Sequence, residues 1–142
     1  MKSILLTYIV IAGIFTVVAG TNPNWSTIGG KLSQLDASPA NIVWGVNRHH
    51  QIYMLNGNGW HRVPGGLTHV TVGNCGVWGV NSGGNIYYRE GVTLSSPAGT
   101  TWTQIPGGLA QIDSGPKGIV YGVNSGNSIY CRKGITTGNP KG

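Results

Sequence analysis

The stretch VWGVNSGGNIYYR, residues 77–89, occurs in three related versions along this chain of 142 residues. The other two are VWGVNRHHQIY at 43–53 and VYGVNSGNSIYCR at 120–132. Each version places an aromatic residue beside a glycine and reaches an Ile-Tyr pair after a short polar turn. A segment that recurs in this way is typical of a protein built from structural repeats.

The spacing of aromatic residues and leucines extends the repeat on both sides of this stretch. Each repeat opens with a tryptophan seven residues before a leucine, in the pairs Trp25 and Leu32, Trp60 and Leu67, and Trp102 and Leu109. A second aromatic residue follows the first after 19, 18 and 19 residues, at Trp44, Trp78 and Tyr121. A tyrosine comes nine residues later, at Tyr53, Tyr87 and Tyr130. This spacing divides the chain into repeats at about 25–59, 60–101 and 102–142.

The punctuation within a repeat predicts short strands. In the third repeat, WTQIP, LAQID, GIVYGVN and SIYCRK are separated by Gly, Pro, Asn and Ser, which form turns. Charged residues make up only 8% of the chain while glycine supplies 25 residues, a composition that disfavours amphipathic helices. We therefore predict an all-β fold with little or no helix, a partial β-propeller of three four-stranded antiparallel blades.

The repeated stretch has a packing explanation. Alternation along a strand sends Ile42, Trp44 and Val46 to one face and Gly45 to the other. Because sheets stack face to face at about 10 Å, a large ring on one sheet needs space on the sheet opposite. We expect the adjacent glycine of each repeat to provide this space, and the second aromatic residues, Trp44, Trp78 and Tyr121, to lie in the core.

Three blades are too few to close a ring, because closed propellers use about four to eight. The tail CRKGITTGNPKG aligns with YREGVTLSSPAG after Tyr87, so that Gly134, Pro140 and Gly142 match Gly91, Pro97 and Gly99. By this alignment the chain stops three residues before a fourth repeat. We predict either a homodimer that completes six blades or a truncated product with exposed blade faces.

The first residues predict export. Residues 1–20 combine one lysine, an apolar run and small residues near Gly20, as in a secretory signal peptide. A membrane anchor is the alternative, although about 20 continuous apolar residues are usual and Thr7, Tyr8 and Thr16 interrupt this run. Residues 21–142 then form the secreted, extracellular domain, with no membrane span after cleavage. In that compartment Cys75 and Cys131 are expected to form a disulfide, or to pair with an absent partner, and Asn24 is a formal glycosylation acceptor.

The repeats resemble those of the tectonin-repeat lectins, most closely the secreted fish-egg lectins. The resemblance rests on residues 102–134, residues 60–91 and, more weakly, residues 25–53. It implies tectonin blades, commonly six, that bind N-acetylglucosamine-type sugars and microbial surface glycans such as lipopolysaccharide. It also implies a role in innate or egg defence.

The candidate sugar-binding residues follow from the chemistry of a pyranose, whose apolar face stacks on an aromatic ring while amides satisfy its hydroxyls. Trp60 and Trp102 open their repeats near a sheet edge, where they either touch a ligand or only pack. Asn47, Asn81 and Asn124 end a strand before a turn, so each either bonds its own backbone or meets a sugar hydroxyl. Arg89 and Arg132 are either ligands for an anionic glycan or solvated side chains.

Other classes of function find little support. The basic residues behind the formal net charge of +6 are dispersed, so no nucleic-acid groove is predicted. Adjacent histidines at 49 and 50 point to opposite faces of a strand and have no acidic neighbour, so we predict no metal and no cofactor. Asp36 and Asp113 occupy equivalent turn-capping positions rather than a catalytic pair. The prediction is a non-catalytic lectin; the alternative is a protein-binding propeller fragment of an egg envelope or other extracellular assembly.

Overall fold

The computed structural model describes residues 24–57 and 59–142, so the predicted signal peptide lies outside the described residues. The first antiparallel sheet contains β1 (Gln34–Ala37), β2 (Val43–Val46), β3 (Ile52–Asn56) and β4 (Gly59–Val63). The second contains β5 (His69–Gly73), β6 (Gly76–Val80), β7 (Asn85–Arg89) and β8 (Trp102–Gly108). The third contains β9 (Gln111–Ser114), β10 (Val120–Val123) and β11 (Ile129–Cys131). The all-β prediction is confirmed, because a single 3-10 turn at Pro116–Gly118 is the helical structure of this described part.

The sheets are offset by one strand from the sequence repeats. Trp60 and Trp102, which open the second and third repeats, lie in β4 and β8, the last strands of the preceding sheets. The cause is visible in the connection after β7, where Glu90 N donates to Thr101 O at 2.9 Å and Thr100 N donates to Glu90 O at 2.8 Å. These bonds turn the chain back along β7. The expectation that the four strands of a sheet all come from one repeat is therefore wrong, because the first strand of a repeat belongs to the preceding sheet. The third sheet has three strands.

The sheets pack face to face, with their first strands, β1, β5 and β9, next to one another. Each junction has its own apolar core. Trp44 is fully buried between sheets 1 and 2, and Trp78, at 1% exposure, is buried between sheets 2 and 3. Both core predictions are confirmed. The prediction for Tyr121 is wrong, because this ring is 50% exposed on the face of sheet 3 that no described sheet covers.

The glycine of the repeated stretch has a different partner from the one expected. A Cβ added to Gly45 would lie 2.5 Å from Leu32 Cδ1 and 2.8 Å from Gln34 O, both in the same repeat. Gly79 faces Leu67 and Gly122 faces Leu109 in the same way. The glycine thus makes room for the leucine seven residues after the opening tryptophan, and not for an aromatic ring of the opposite sheet.

Polar side chains join the first strands of neighbouring sheets. Asp36 Oδ2 on β1 accepts hydrogen bonds from Thr71 Oγ1 and Val72 N on β5, both at 2.7 Å. Thr71 is 1% exposed, and its Oγ1 also accepts Ser114 N of β9 at 3.0 Å. The side chain of Gln34 donates to Val70 O and accepts from Val70 N, at 2.8 and 3.0 Å. The turn-capping explanation for Asp36 is therefore incomplete, because Oδ1 accepts from the local Ala37 N at 2.8 Å while Oδ2 bridges two sheets.

The tail adopts the same loop as the segment after β7, which confirms the alignment made from the sequence. Arg89 Nε donates to Ala98 O and Arg132 Nε donates to Lys141 O, each at 2.8 Å. The tail is tied to sheet 2 by an ion pair of 2.7 Å between Lys141 Nζ and Glu90 Oε1. Within the described residues, no helix is long and apolar enough to span a membrane.

Candidate ligand-binding site

The three predicted asparagines shape equivalent loops after the second strands of the sheets. Asn81 Oδ1 accepts hydrogen bonds from Gly83 N at 3.0 Å and Asn85 N at 2.9 Å. Asn124 holds the loop after β10 with the same two bonds, and Asn47 does so after β2. The carbonyl of each side chain is thus used by its own loop, as the structural alternative expected.

The amide nitrogens of these asparagines differ in availability. Asn47 Nδ2 donates to Gln51 Oε1 at 2.8 Å, a short bond. Asn81 Nδ2 and Asn124 Nδ2 have only long contacts, of 3.5 and 3.4 Å, with the hydroxyls of Tyr87 and Tyr130. Hydrogen bonds of that length are weak. Asn81 and Asn124 therefore keep N–H donors that a ligand hydroxyl can use.

These two asparagines line one cleft at the junction of sheets 2 and 3. The cleft has a volume of about 470 Å³ and is lined by Thr68, residues 81–84, residues 108–110, Asn124 and Ser125. The connection between the sheets forms its floor, where Leu109 N donates to Gly84 O at 3.0 Å and Ala110 N donates to Val123 O at 2.7 Å. We call this the Asn81–Asn124 cleft. Its lining offers amide, hydroxyl and backbone groups and no charged side chain, which suits a neutral, hydroxyl-rich ligand.

The loop of sheet 1 forms a different environment. A cleft of about 290 Å³ is lined by Lys31, Leu32, Ser33, Asn47, Arg48 and His49. Arg48 Nε donates to His49 Nε2 at 3.2 Å, so the guanidinium is drawn toward the histidine. Lys31 and Arg48 make this cleft cationic, and it would favour an anionic group over a neutral one.

Trp102 packs between sheets 1 and 2. Its Nε1 donates to Pro64 O at 2.9 Å, and its ring packs edge-to-face on Trp44 with centroids 6.0 Å apart. The guanidinium of Arg89 lies 5.1 Å from the ring centroid. A cleft of about 190 Å³ remains beside the ring, next to Tyr87 and residues 65–67. Trp102 therefore packs, with one edge left at a small cleft.

The two predicted arginines differ in exposure. Arg89 is 5% exposed and bound to Ala98 O, so neither the ligand role nor the solvated alternative describes it. Burial lowers the pKa of Arg89, although a guanidinium stays protonated at any ordinary pH. Arg132 makes the equivalent bond but stays partly exposed, beside a cleft of about 300 Å³ next to β11.

Trp60 and the cysteines lie away from the Asn81–Asn124 cleft. Trp60 packs over the backbone of Gly30, where an added Cβ would lie 2.9 Å from its Cδ1. Cys75 is a buried thiol and Cys131 an exposed one, so the bond expected between them is not formed in the structure. The described residues contain no group of three side chains placed to hold a metal ion.

The sequence prediction missed the hydroxyl residues of the cleft. Ser82 and Ser125 each follow one of the predicted asparagines, and Thr68 follows the repeated leucine. Their position in loops next to the asparagines was the available signal. What the sequence lacked was the pairing of one loop with the linker of the next repeat.

Three stacked antiparallel sheets with repeated loops at their junctions define a partial β-propeller. Residues 11–142 match the tectonin domain family, and the chain belongs to that family. Over 92 residues it is 40% identical to the fish-egg lectin of Cyprinus carpio, a match that covers 58% of this chain and 38% of that protein. It is 44% identical over 66 residues to tectonin-1 of Physarum polycephalum, with 45% of this chain and 30% of that protein covered. The chain thus matches less than half the length of each relative.

A solved structure supports the fold alone. The YCF48 protein of Cyanidioschyzon merolae superposes with a TM-score of 0.55 at 17% identity, over 77% of this chain and 35% of that one.

Proposed function

We propose that this chain is a secreted, non-catalytic lectin that binds N-acetylglucosamine-type or microbial surface glycans, including lipopolysaccharide, in innate or egg defence. The observation that carries the proposal is the Asn81–Asn124 cleft, which is lined by two asparagines whose amide nitrogens have no short hydrogen bond and by residues with hydroxyl groups. The similarity to a fish-egg lectin supports the same class of ligand.

The polarity of the cleft favours a sugar over a peptide side chain or a phosphate. A sugar hydroxyl both donates and accepts, and the cleft offers N–H donors from asparagine together with serine hydroxyls that do either. An anion would need a positive partner, which the lining of this cleft lacks. The cationic cleft beside Asn47 would instead meet the charged groups of lipopolysaccharide.

Useful strength would come from several sites acting together. A single open cleft of this kind should bind a monosaccharide near a millimolar dissociation constant, about 4 kcal/mol. Repeated clefts on one surface raise the effective affinity without any new contact. A homodimer, which we propose as the working form, would double their number.

The test separates the amide donors from the fold of the loops. Asn81→Asp keeps the acceptor oxygens that hold the loop but removes the N–H donors, so we expect N-acetylglucosamine to bind about 3- to 10-fold more weakly. Ser82→Ala should weaken binding by a similar factor. Ser95→Ala, an exposed serine in another loop, is the matched control and should change nothing.

Isothermal titration with N-acetylglucosamine measures these variants, and a glycan array with free sugar as competitor identifies the ligand class. Unchanged affinity in Asn81→Asp and Ser82→Ala would show that the sugar does not bind in this cleft. Retention on a protein partner after deglycosylation, with no signal on the array, would instead favour the protein-binding alternative.

A further inference from the structure

Sheet 3 has an open edge at its last strand. Ile129 and Tyr130 of β11 are 76% and 51% exposed. In sheet 2, the equivalent of Ile129 is Ile86, which is 7% exposed because it pairs with Ile105 of β8. No described residue covers β11 in this way. The edge therefore offers backbone and apolar groups of the kind that another strand covers in sheets 1 and 2.

At the other end of the fold, a segment with the sequence of such a strand is not in a sheet. Residues 25–28 align with the start of β8, so that Trp25 and Ile28 correspond to Trp102 and Ile105. Trp102 is partly buried and Ile105 is 5% exposed, whereas Trp25 is 81% and Ile28 60% exposed. The opening strand of the first repeat is thus present but unpaired, in contrast to the opening strands of the other two.

The cleft of about 300 Å³ beside β11 matches the surroundings of Trp102. It is lined by Ile86, residues 106–109 and Tyr130 to Arg132. The corresponding positions around Trp102 hold Ile52, residues 64–67, Tyr87 and Arg89. The third repeat therefore forms the same kind of cleft that surrounds Trp102. No indole ring of the described residues occupies it.

We propose that Trp25 of a second copy of this chain fills the cleft and that residues 25–28 of that copy add to β11 as the fourth strand of sheet 3. The exchange is reciprocal, so two copies form a closed, two-fold symmetric dimer of six sheets. This inference rests on the homodimer proposed above, and it names the surfaces that form it. It does not rest on glycan binding.

The pairing of β7 with β8 fixes the register. Arg89 is opposite Trp102, and Tyr88 is opposite Thr103. The same register places Arg132 opposite Trp25 of the second copy and Cys131 opposite its Ser26.

The side chains around the cleft are already arranged for this ring. Trp102 Nε1 donates to Pro64 O at 2.9 Å, and Trp25 Nε1 would find the equivalent acceptor in Pro106 O. Arg132 is held by Lys141 O as Arg89 is held by Ala98 O, so its guanidinium would stack on the Trp25 ring. The cleft itself needs little ordering on binding, which favours association.

The inner edge of sheet 3 supports the same pairing independently. Gln111 stands at the repeat position of Gln34, whose side chain clamps Val70 in the first strand of the next sheet. In the dimer, the strand next to Gln111 would be β1 of the second copy, where Leu35 is 58% exposed.

Exposed apolar residues concentrate on these two ends of the fold. Of the eight large hydrophobic residues exposed in the described part of the chain, six lie there: Trp25, Ile28, Leu35, Tyr121, Ile129 and Tyr130. Exposed apolar residues that cluster in this way mark an interface. Because each copy carries both complementary ends, a two-fold arrangement uses all of them.

The register is tested by a disulfide between copies. Residues directly opposite in an antiparallel pair have Cα atoms about 4.5 to 5.5 Å apart, within the range of a disulfide. Ser26→Cys should therefore join Cys131 of a second copy under mild oxidation and give a single dimer band on a non-reducing gel, run after removal of any N-glycan. Thr27→Cys, one position out of register, and Ser26→Cys combined with Cys131→Ser should give monomer.

The association is measured by light scattering and sedimentation of the full chain, expressed for secretion, without sugar. We expect a dimer, and we expect Trp25→Ala to raise its dissociation constant by at least about 30-fold, as for a central aromatic anchor. Leu94→Ala removes another exposed apolar side chain, 76% exposed in the loop after β7, and should leave the dimer unchanged.

Three outcomes would overturn the inference: a monomer at all concentrations, a dimer that Trp25→Ala leaves intact, or a ladder of larger disulfide-linked species with Ser26→Cys. Loss of glycan binding in a chain that still dimerises would refute the proposed function alone.

Discussion

A methyl group added at Gly79 should destabilise the fold through one identifiable overlap. The added Cβ would overlap Leu67 Cδ1, and it would lie 3.2 Å from Leu67 Cδ2 and 3.0 Å from His69 O. Carbon atoms pack best at about 3.5 to 4.0 Å. Because Leu67 is only 2% exposed and a backbone oxygen closes the other side, the leucine has little room to move. Overpacking of this kind destabilises a core by about 1 to 3 kcal/mol.

The partner is tested by a double-mutant cycle measured by urea unfolding with tryptophan fluorescence. Leu67→Ala alone should lower the free energy of unfolding by about 2 to 5 kcal/mol, through loss of buried contacts. In the double variant the added methyl enters the space that the leucine left, so the two effects should fall short of additivity by about 0.5 to 3 kcal/mol.

Gly115→Ala is the matched control, because Gly115 has extended backbone angles and an added Cβ there meets nothing within 4 Å. It should be neutral or slightly stabilising. Full stability of Gly79→Ala, or strict additivity with Leu67→Ala, would refute the assignment of the glycine to its own leucine.

Two further predictions concern polar contacts. Thr71→Val removes the hydroxyl that donates to Asp36 Oδ2 at 2.7 Å and accepts a hydrogen bond from Ser114 N. Thermal and urea unfolding should show that the free energy of unfolding falls by about 1 to 3 kcal/mol, whereas Thr71→Ser should retain most of the stability. Equal losses in both variants would contradict a role for the hydroxyl. Hydrogen bonds from Lys141 and then Thr103 lower the pKa of Glu90, so the stability that Glu90 contributes is present above its unfolded pKa and is lost as the pH falls through the lower folded pKa. Lys141→Met should raise the pKa of Glu90, as measured by an NMR titration. Because the ion pair is partly exposed, the same substitution should lower stability at neutral pH by less than about 1 kcal/mol. An unchanged pKa of Glu90 would contradict the contact.

The repeat was readable from the sequence because the aromatic spacing is set by strand length, and strands have a fixed rise. The cores at Trp44 and Trp78 followed from alternation on a strand. The boundaries of the sheets relative to the repeats could not be predicted in this way. The twelve residues from Glu90 to Thr101 return to β7 through backbone hydrogen bonds that the spacing of residues does not indicate.

Long-range partners explain the other differences. Gly45 sits beside an aromatic residue in the sequence, but its neighbour in space is Leu32, two strands' length away. Asp36 resembles a turn cap until β5 is placed beside β1. For the cleft, the asparagines were identified from their loops, whereas their serine and threonine neighbours required the junction of two sheets.

The one-strand offset between repeat and sheet has a genetic consequence. Recombination between tandem copies of such a gene exchanges whole repeats, and each repeat lends its first strand to the sheet before it. Insertion or loss of one repeat inside the array therefore leaves every internal sheet complete and changes only how many there are. The number of blades in chains of this design can therefore change by whole repeats, and only the two terminal sheets determine whether the ring closes.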